Sequence, residues 1–233
     1  MNKILIIGIS ALFLIPFKGT SQENSGVNES PNKEKWYKEG WVLQAGIGMR
    51  NFGRRSENID KVPGLSTYGS VGYMFDDIWG IRGRADYYNH IISPGYGDNE
   101  QSTAHSVALS LMGSADLIPL ITGGSSSPWH LNAYLGAGLT TSWNPDMQET
   151  REAQNPDYEW NDPLFKGHDD MGHIIFGITP QYQFNSSWAI SLDFSTFTML
   201  SQDFTYDYKT RITDDGVGFN STLSIGVVFN PHF

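Results

Sequence analysis

Residues 129–143 read WHLNAYLGAGLTTSW, and the fold turns on the period of that stretch. Leu131, Ala133, Leu135, Ala137 and Leu139 fall on one parity, and His130, Asn132, Tyr134, Gly136 and Gly138 on the other. Successive side chains of a strand point to opposite faces, so a period of two makes one apolar and one polar face; a helix would repeat at 3.6. The alternation continues in both directions. Upstream it predicts strands over 41–49, 65–75, 79–88 and 105–117, and downstream over 173–184, 188–198 and 217–229. Eight strands of about ten residues or more have the length a tilted strand needs to cross a bilayer.

The connections between these strands alternate in length. Those at 51–64, 89–103, 144–170 and 199–215 are long, polar and rich in Asp, Asn, Gly and Pro, whereas 76–78 and 185–187 are tight and 118–128 is of middling length. An up-and-down antiparallel chain puts every long loop at one end and every short turn at the other, the asymmetry of outer-membrane barrels. Every upgoing strand opens with a tryptophan: Trp41, Trp79, Trp129 and Trp188. The downgoing strands close with Phe75, Leu117, Phe184 and Phe229 on the apolar parity. Amphipathic aromatics favour a membrane–water interface, so Trp41, Phe75, Trp79, Trp129, Phe184, Trp188 and Phe229 are expected to form a girdle on the periplasmic side.

A soluble β-sandwich or a lipocalin-like barrel has the same alternation with its apolar face turned inward. That arrangement predicts an outer face studded with Lys and Glu. After residue 40, Lys occurs only at 61, 166 and 209 and Glu only at 57, 100, 149, 152 and 159, all in the long connections. The polar parity is instead Gly, Ser, Thr, Asn and Gln with a few Arg and Asp, which suits a narrow lumen. The expected fold is therefore an all-β, eight-stranded antiparallel up-and-down transmembrane β-barrel with its apolar face toward lipid.

Composition fits this reading once the two faces are separated. The chain has 233 residues, 39% hydrophobic and 17% charged, with 25 glycines and no cysteine. A mean hydropathy of −0.34 averages an apolar face, a polar face and wet loops. Zero Cys excludes a disulfide scaffold, a thiolate zinc site and a lipid-anchored N-terminal Cys. A formal charge of −10 and the lack of a basic stripe argue against nucleic acid as a partner. At the N-terminus a basic start (Met1–Lys3) precedes an apolar run over 4–17, with Gly19 and Ser21 at −3 and −1 of a cut before Gln22. That is the layout of a secretory signal peptide, and the run falls short of the ~20 residues of a spanning helix. Its removal takes away Lys3 and Lys18, leaving 13 basic against 25 acidic side chains. The expected organisation is a signal peptide at 1–21, a polar flexible lead-in at 22–40 and the barrel at 41–233.

With a signal peptide, eight alternating strands, tight turns on one side and a terminal Phe, residues 41–233 resemble a small outer-membrane β-barrel of the OmpA/OmpX type. The Gln-initiated mature end and the closing GVVFNPHF at 226–233 are similar to Bacteroidetes "outer membrane protein β-barrel domain" proteins. The resemblance implies location in the outer membrane of a Gram-negative bacterium. It also implies a C-terminal strand whose aromatic end is read by the barrel-assembly machinery. Leu223, Ile225, Val227, Phe229 and Phe233 keep that parity, and Pro231 is a departure from it. No peptidoglycan-binding domain is read after the barrel, so wall anchoring is not expected.

Chemistry is sought first on the lumen parity. Arg82, Arg84, Asp86 and Asp193, with Arg50, Asp116 and Gln181, are expected to form an internal salt-bridge plug, because an eight-stranded interior is just wide enough for side chains and buried charges must be paired. The alternative is a narrow gated channel for ions or small solutes lined by the same residues. A lipid-modifying enzyme would need a nucleophile and a base on one face. None of the histidines (90, 105, 130, 168, 173, 232) has Ser at i±2, and the adjacent His105 and Ser106 point to opposite faces, so no catalytic residue is expected. The loop at 144–170 joins eight Asp/Glu to Tyr158, Trp160 and Phe165. Tyr158, Trp160, Asp162 and Phe165 are its candidate contacts for an extracellular ligand or surface polysaccharide. Hard carboxylates suit Ca²⁺, but the D-x-[DN]-x-[DN]-G pattern is absent and no metal or cofactor is expected. The function read from the sequence is structural or interactive: envelope integrity, adhesion or surface recognition, with outer-membrane lipid as the surrounding partner.

Overall fold

The computed structural model describes residues 39–52, 64–92, 102–123, 127–145, 168–204 and 211–231. Eight strands close into one antiparallel barrel in sequence order: β1 (Gly40–Phe52), β2 (Gly64–Met74), β3 (Trp79–Ile92), β4 (Ser102–Asp116), β5 (Trp129–Trp143), β6 (His168–Gln183), β7 (Trp188–Phe204) and β8 (Arg211–Phe229). Closure runs from Leu43↔Phe229 to Phe52↔Asn220 between β1 and β8. A short helix, α1 (Leu117–Thr122), joins β4 to β5. The signal-peptide and lead-in readings, apart from its last two residues, lie outside the described residues.

The barrel turns its apolar parity outward. Leu109, Leu111 and Leu139 are 60%, 60% and 66% exposed, while Arg84, Asp86 and Asp193 inside are 5%, 2% and 1% exposed. This overturns the alternative in which the apolar side chains fill the interior. No Lys or Glu stands in any of the eight strands. Several strands run past the stretch marked by alternation: β3 continues to Ile92, β6 starts at His168, β7 reaches Phe204 and β8 starts at Arg211. The ladder bonds are made by backbone, so pairing persists where the side chains no longer alternate.

The tight turns are built by one device used twice. Asp76 Oδ1 accepts the backbone N–H of Ile78 and of Trp79, both at 2.7 Å. Asn185 Oδ1 accepts those of Ser187 and Trp188, both at 2.9 Å. Each Asx side chain mimics a backbone turn and delivers a tryptophan as the first residue of the next strand. The third connection, of middling length in the sequence, holds a short helix, and Leu117 opens that helix rather than closing β4. Asp116 causes this: its Oδ1 caps Ile118 N at 3.1 Å and also accepts Leu131 N at 3.1 Å. At the far end Gly123, at φ 74°, takes the left-handed cap and its N–H reaches Pro119 O.

Glycine on the inward parity makes room for rings. A Cβ on Gly138 would collide with the Leu109 carbonyl oxygen and the His173 imidazole, and one on Gly46 with the ring of Tyr68. Gly138→Val is expected to cost at least about 1–3 kcal/mol, the range for overpacking a filled interior. Denaturant unfolding of the detergent-folded protein measures it, and an unchanged midpoint would show that the two strands have room to move apart.

Candidate functional site

The inward parity delivers the site. Arg84 and Asp86 are neighbours on the inner face of β3, and Asp193 lies on β7, the diametrically opposite strand of an eight-stranded ring. Arg84 reaches across: its Nη1 is 3.0 Å from Asp193 Oδ1, and its Nη2 is 2.8 Å from Asp86 Oδ1. Nε of the same guanidinium donates to both Asp86 oxygens at 3.0 and 2.9 Å. Two buried carboxylates thus share one guanidinium, whose planar fork suits a bidentate partner. Hydroxyls complete the shell. Tyr134 and Thr179 each donate to Asp193 Oδ2 at 2.8 Å, and Arg84 Nη1 also donates to the Tyr134 hydroxyl at 3.0 Å. The guanidinium carbon sits 4.0 Å from the centroid of the Tyr68 ring. Pairing of β6 with β7 skips Thr179 and Pro180, where proline has no N–H to donate, and Thr179 uses its side chain on Asp193 instead.

The other lumen candidates take different partners. Arg82 donates to Gln44 Oε1 at 2.8 Å, and Gln44 Nε2 donates to the Tyr68 hydroxyl at 2.7 Å. Arg50, fully buried, lays its guanidinium over the ring of Tyr88, 3.1 Å from the centroid, with Phe197 at 5.1 Å. Asp116 pairs with His130 Nδ1 at 2.6 Å beside α1, at the turn end. Gln181 is buried on β6.

The lumen is layered rather than uniformly polar. Val42, Met74, Ala189 and Val228 form an apolar layer at the turn end. A second apolar cluster of Tyr88, Ala108, Met112, Tyr134, Met171, Ile175, Phe197 and Met199 packs beside the ion network and shares Tyr134 with it. The signal for it is local: Ile174-Ile175-Phe176 and Tyr87-Tyr88 break the alternation by placing an apolar residue on each parity. A second feature left no local trace. Ser110 Oγ is 2.8 Å from His173 Nε2, and Thr140 Oγ1 is 2.8 Å from its Nδ1. These residues come from β4, β5 and β6, so no spacing along the chain reveals them. A hydroxyl occupies the place where a hydrolase puts its orienting carboxylate, and all three residues are buried, so the ring is held from both nitrogens.

On the outside, Trp41, Phe75, Trp79, Trp129, Phe184 and Trp188 stand exposed at the turn end, with Phe229 half-buried. They pair with one another and with tyrosines: Trp41 with Tyr73 at 5.4 Å, Trp129 with Tyr182 at 4.8 Å and Trp188 with Phe229 at 4.6 Å between centroids. Val227 is exposed on the outward face of β8. Tyr158, Trp160, Asp162, Phe165 and Phe233 lie outside the described residues.

No protein-family model and no curated protein matches this chain. Among solved structures it is similar to the outer membrane protein OprG from Pseudomonas aeruginosa, at 13% identity and a TM-score of 0.54, covering 85% of this chain and 99% of that one. It is also similar to Neisserial surface protein A, at 14% identity and 0.49 over 82% and 97% of the two chains. A third is Ail, the attachment invasion locus protein of Yersinia pestis, in complex with the heparin analogue sucrose octasulfate, at 12% identity and 0.49 over 83% and 100%. The likeness to OprG is one of fold. The chain has the closed eight-stranded architecture of small outer-membrane barrels.

Proposed function

We propose that the chain is an integral outer-membrane β-barrel with a side-chain-filled lumen, acting in envelope integrity, adhesion or surface recognition through its long loops. The observation behind this is the inverted barrel: apolar outside, charged inside, and ringed by tryptophans at one end. Water would penalise that exterior, whereas hydrocarbon accepts it. Export and cleavage before Gln22 belong to the same reading, as does insertion through the C-terminal strand carrying Val227, Phe229 and Phe233. The folded protein should fractionate with the outer membrane and change its gel mobility on boiling. A periplasmic, heat-indifferent protein would sink the proposal.

A narrow channel is the second reading, favoured by the charged lumen. The Arg84 brace and the apolar clusters packed in the same lumen support a plug instead. Arg84→Ala in a planar bilayer is expected to stay electrically silent; an increase in conductance would establish the channel. The surface-recognition part of the proposal rests on the acidic and aromatic loop, with Tyr158, Trp160, Asp162 and Phe165 as contacts. Deleting residues 146–167 should abolish binding of cells to their surface ligand and leave heat-modifiable mobility intact. Unchanged cell binding would remove that loop from the function.

A further inference from the structure

Away from the tryptophan end, the outward face carries a second aromatic feature of another kind. Tyr87 of β3, His105 of β4, Trp143 of β5 and His168 of β6 stand as a row of flat rings across four strands. Their centroids are 6.1, 5.6 and 5.1 Å apart in that order, and their planes lie within 25°, 26° and 14° of parallel. Register sets the row, because Trp143 is the partner of both His105 and His168. The girdle rings meet edge-on or tilted instead, Trp41 on Tyr73 at 78° and Trp129 on Tyr182 at 55°. Offset stacking sets one π-face against the next, so the row is a continuous path of π-systems.

One hydrogen bond gives that path a direction. The Tyr87 hydroxyl and His105 Nδ1 are 2.8 Å apart. With the phenol as donor, Nδ1 supplies the lone pair and Nε2 carries the ring proton. That distance is the reach of a positioned base for the proton it takes, and imidazole exchanges protons near neutral pH. Indole and phenol are the most readily oxidised rings among the side chains, and Trp143 and Tyr87 stand on either side of His105. A phenol that loses an electron sheds its proton. At a partly wetted surface a bare charge is costly, so the proton needs a receiver already in contact, and Tyr87 has one. Tyr87 lies eight positions past Trp79 on β3, and Trp143 fourteen positions past Trp129 on β5. A tilted strand crosses the hydrocarbon in about 9–11 residues, so the row spans the far boundary, within reach of radicals in the adjoining water.

We propose that Trp143, His105 and Tyr87 form a radical relay that makes Tyr87 the site of oxidative modification. A one-electron oxidising radical takes an electron from Trp143, becoming its anion and leaving an indole radical cation. An electron from Tyr87 then refills the indole. In the same step the phenolic O–H bond breaks and the proton forms an N–H bond at His105 Nδ1. The products are neutral tryptophan, a tyrosyl radical and an imidazolium, with the one positive charge moved from indole to imidazole. The relay stands on the ring geometry, and only its place at a lipid boundary rests on the membrane-barrel reading above.

The test uses the full mature chain folded in phosphatidylcholine vesicles. Azide radical from pulse radiolysis is the oxidant, and a nitroso spin trap is located by peptide mapping in a mass spectrometer. In the wild type the trap should mark Tyr87. Trp143→Phe keeps a ring in the stack and removes the electron acceptor, whereas His105→Phe keeps a ring and removes the proton acceptor. Each should cut the Tyr87 adduct by about tenfold or more, within the roughly 100-fold or more that a positioned base contributes. In His105→Phe and in Tyr87→Phe the oxidation products on Trp143 should rise, a change that lost packing alone does not produce. Tyr182 beside Trp129 is the reference, and its adduct should stay constant. Heat-modifiable mobility reports that each variant is folded. An undiminished Tyr87 adduct in either variant, or Trp143 products at the wild-type level in His105→Phe, would overturn the relay. A chain that never inserts into vesicles sinks the barrel reading, and the same comparison in detergent micelles then decides the relay by itself.

Discussion

Arg84→Ala is expected to destabilise the folded protein by about 3–5 kcal/mol, the range for removing one partner of a buried ion pair. Asp86 and Asp193 then lose the guanidinium they share, and two carboxylates face each other across a buried lumen. Tyr134 and Thr179 still donate to Asp193, so the residual network is partly satisfied but carries uncompensated charge. The sign of the effect is separable from loss of packing. Arg84→Met with Asp86→Asn and Asp193→Asn removes the charges together, and such replacements are often neutral or stabilising. The triple variant is therefore expected to recover most of the loss. Urea unfolding in detergent micelles, followed by gel mobility without boiling, measures both. If the single variant unfolds at the wild-type midpoint, Arg84 is not the brace of this barrel.

Leu109→Arg tests the outside with comparable force. Leu109 sits in mid-strand on β4, pairs with Ala85 and Leu139, and is 60% exposed. If its surroundings are hydrocarbon, arginine there should cost about 2–4 kcal/mol, falling to about 0–1 near an interface. Ile121 supplies the control, because it is 80% exposed on α1 at the turn end. Ile121→Arg is expected to unfold within about 1 kcal/mol of wild type. Measured in lipid vesicles, equal costs at the two sites would contradict a lipid-facing belt. In water both changes would be nearly silent, since a surface arginine meets no penalty there.

The two variants draw on different levels of information. That Leu109 faces outward is legible in the period of its own strand, where Val107, Leu109 and Leu111 alternate with Ser106 and Ser110. The grouping of Arg82, Arg84, Asp86 and Asp193 on one lumen is legible for the same reason. What each touches is not. Arg82 and Arg84 are two positions apart on one face, yet Arg82 meets Gln44 of β1 while Arg84 meets Asp193 of β7. Arg50 ends over Tyr88, and Asp116 goes to His130 and the start of α1, because a carboxylate just before a helix finds its backbone donors at once. The helix itself was hidden in a connection too short and too apolar to show a period.

The sequence by itself determined that eight strands exist, which parity is apolar, which end holds the short turns and the tryptophans, and that Lys and Glu stay out of the strands. These are consequences of alternation and turn chemistry, which act over a few residues and need no partner. Only the tertiary structure decided that Arg84 bridges β3 to β7, that Ser110 and Thr140 hold His173, and that Tyr87, His105, Trp143 and His168 align in one row. Such meetings depend on the stagger accumulated around all eight registers when the barrel closes. A shift in any one of them would change every cross-lumen partner while leaving each strand's own pattern untouched.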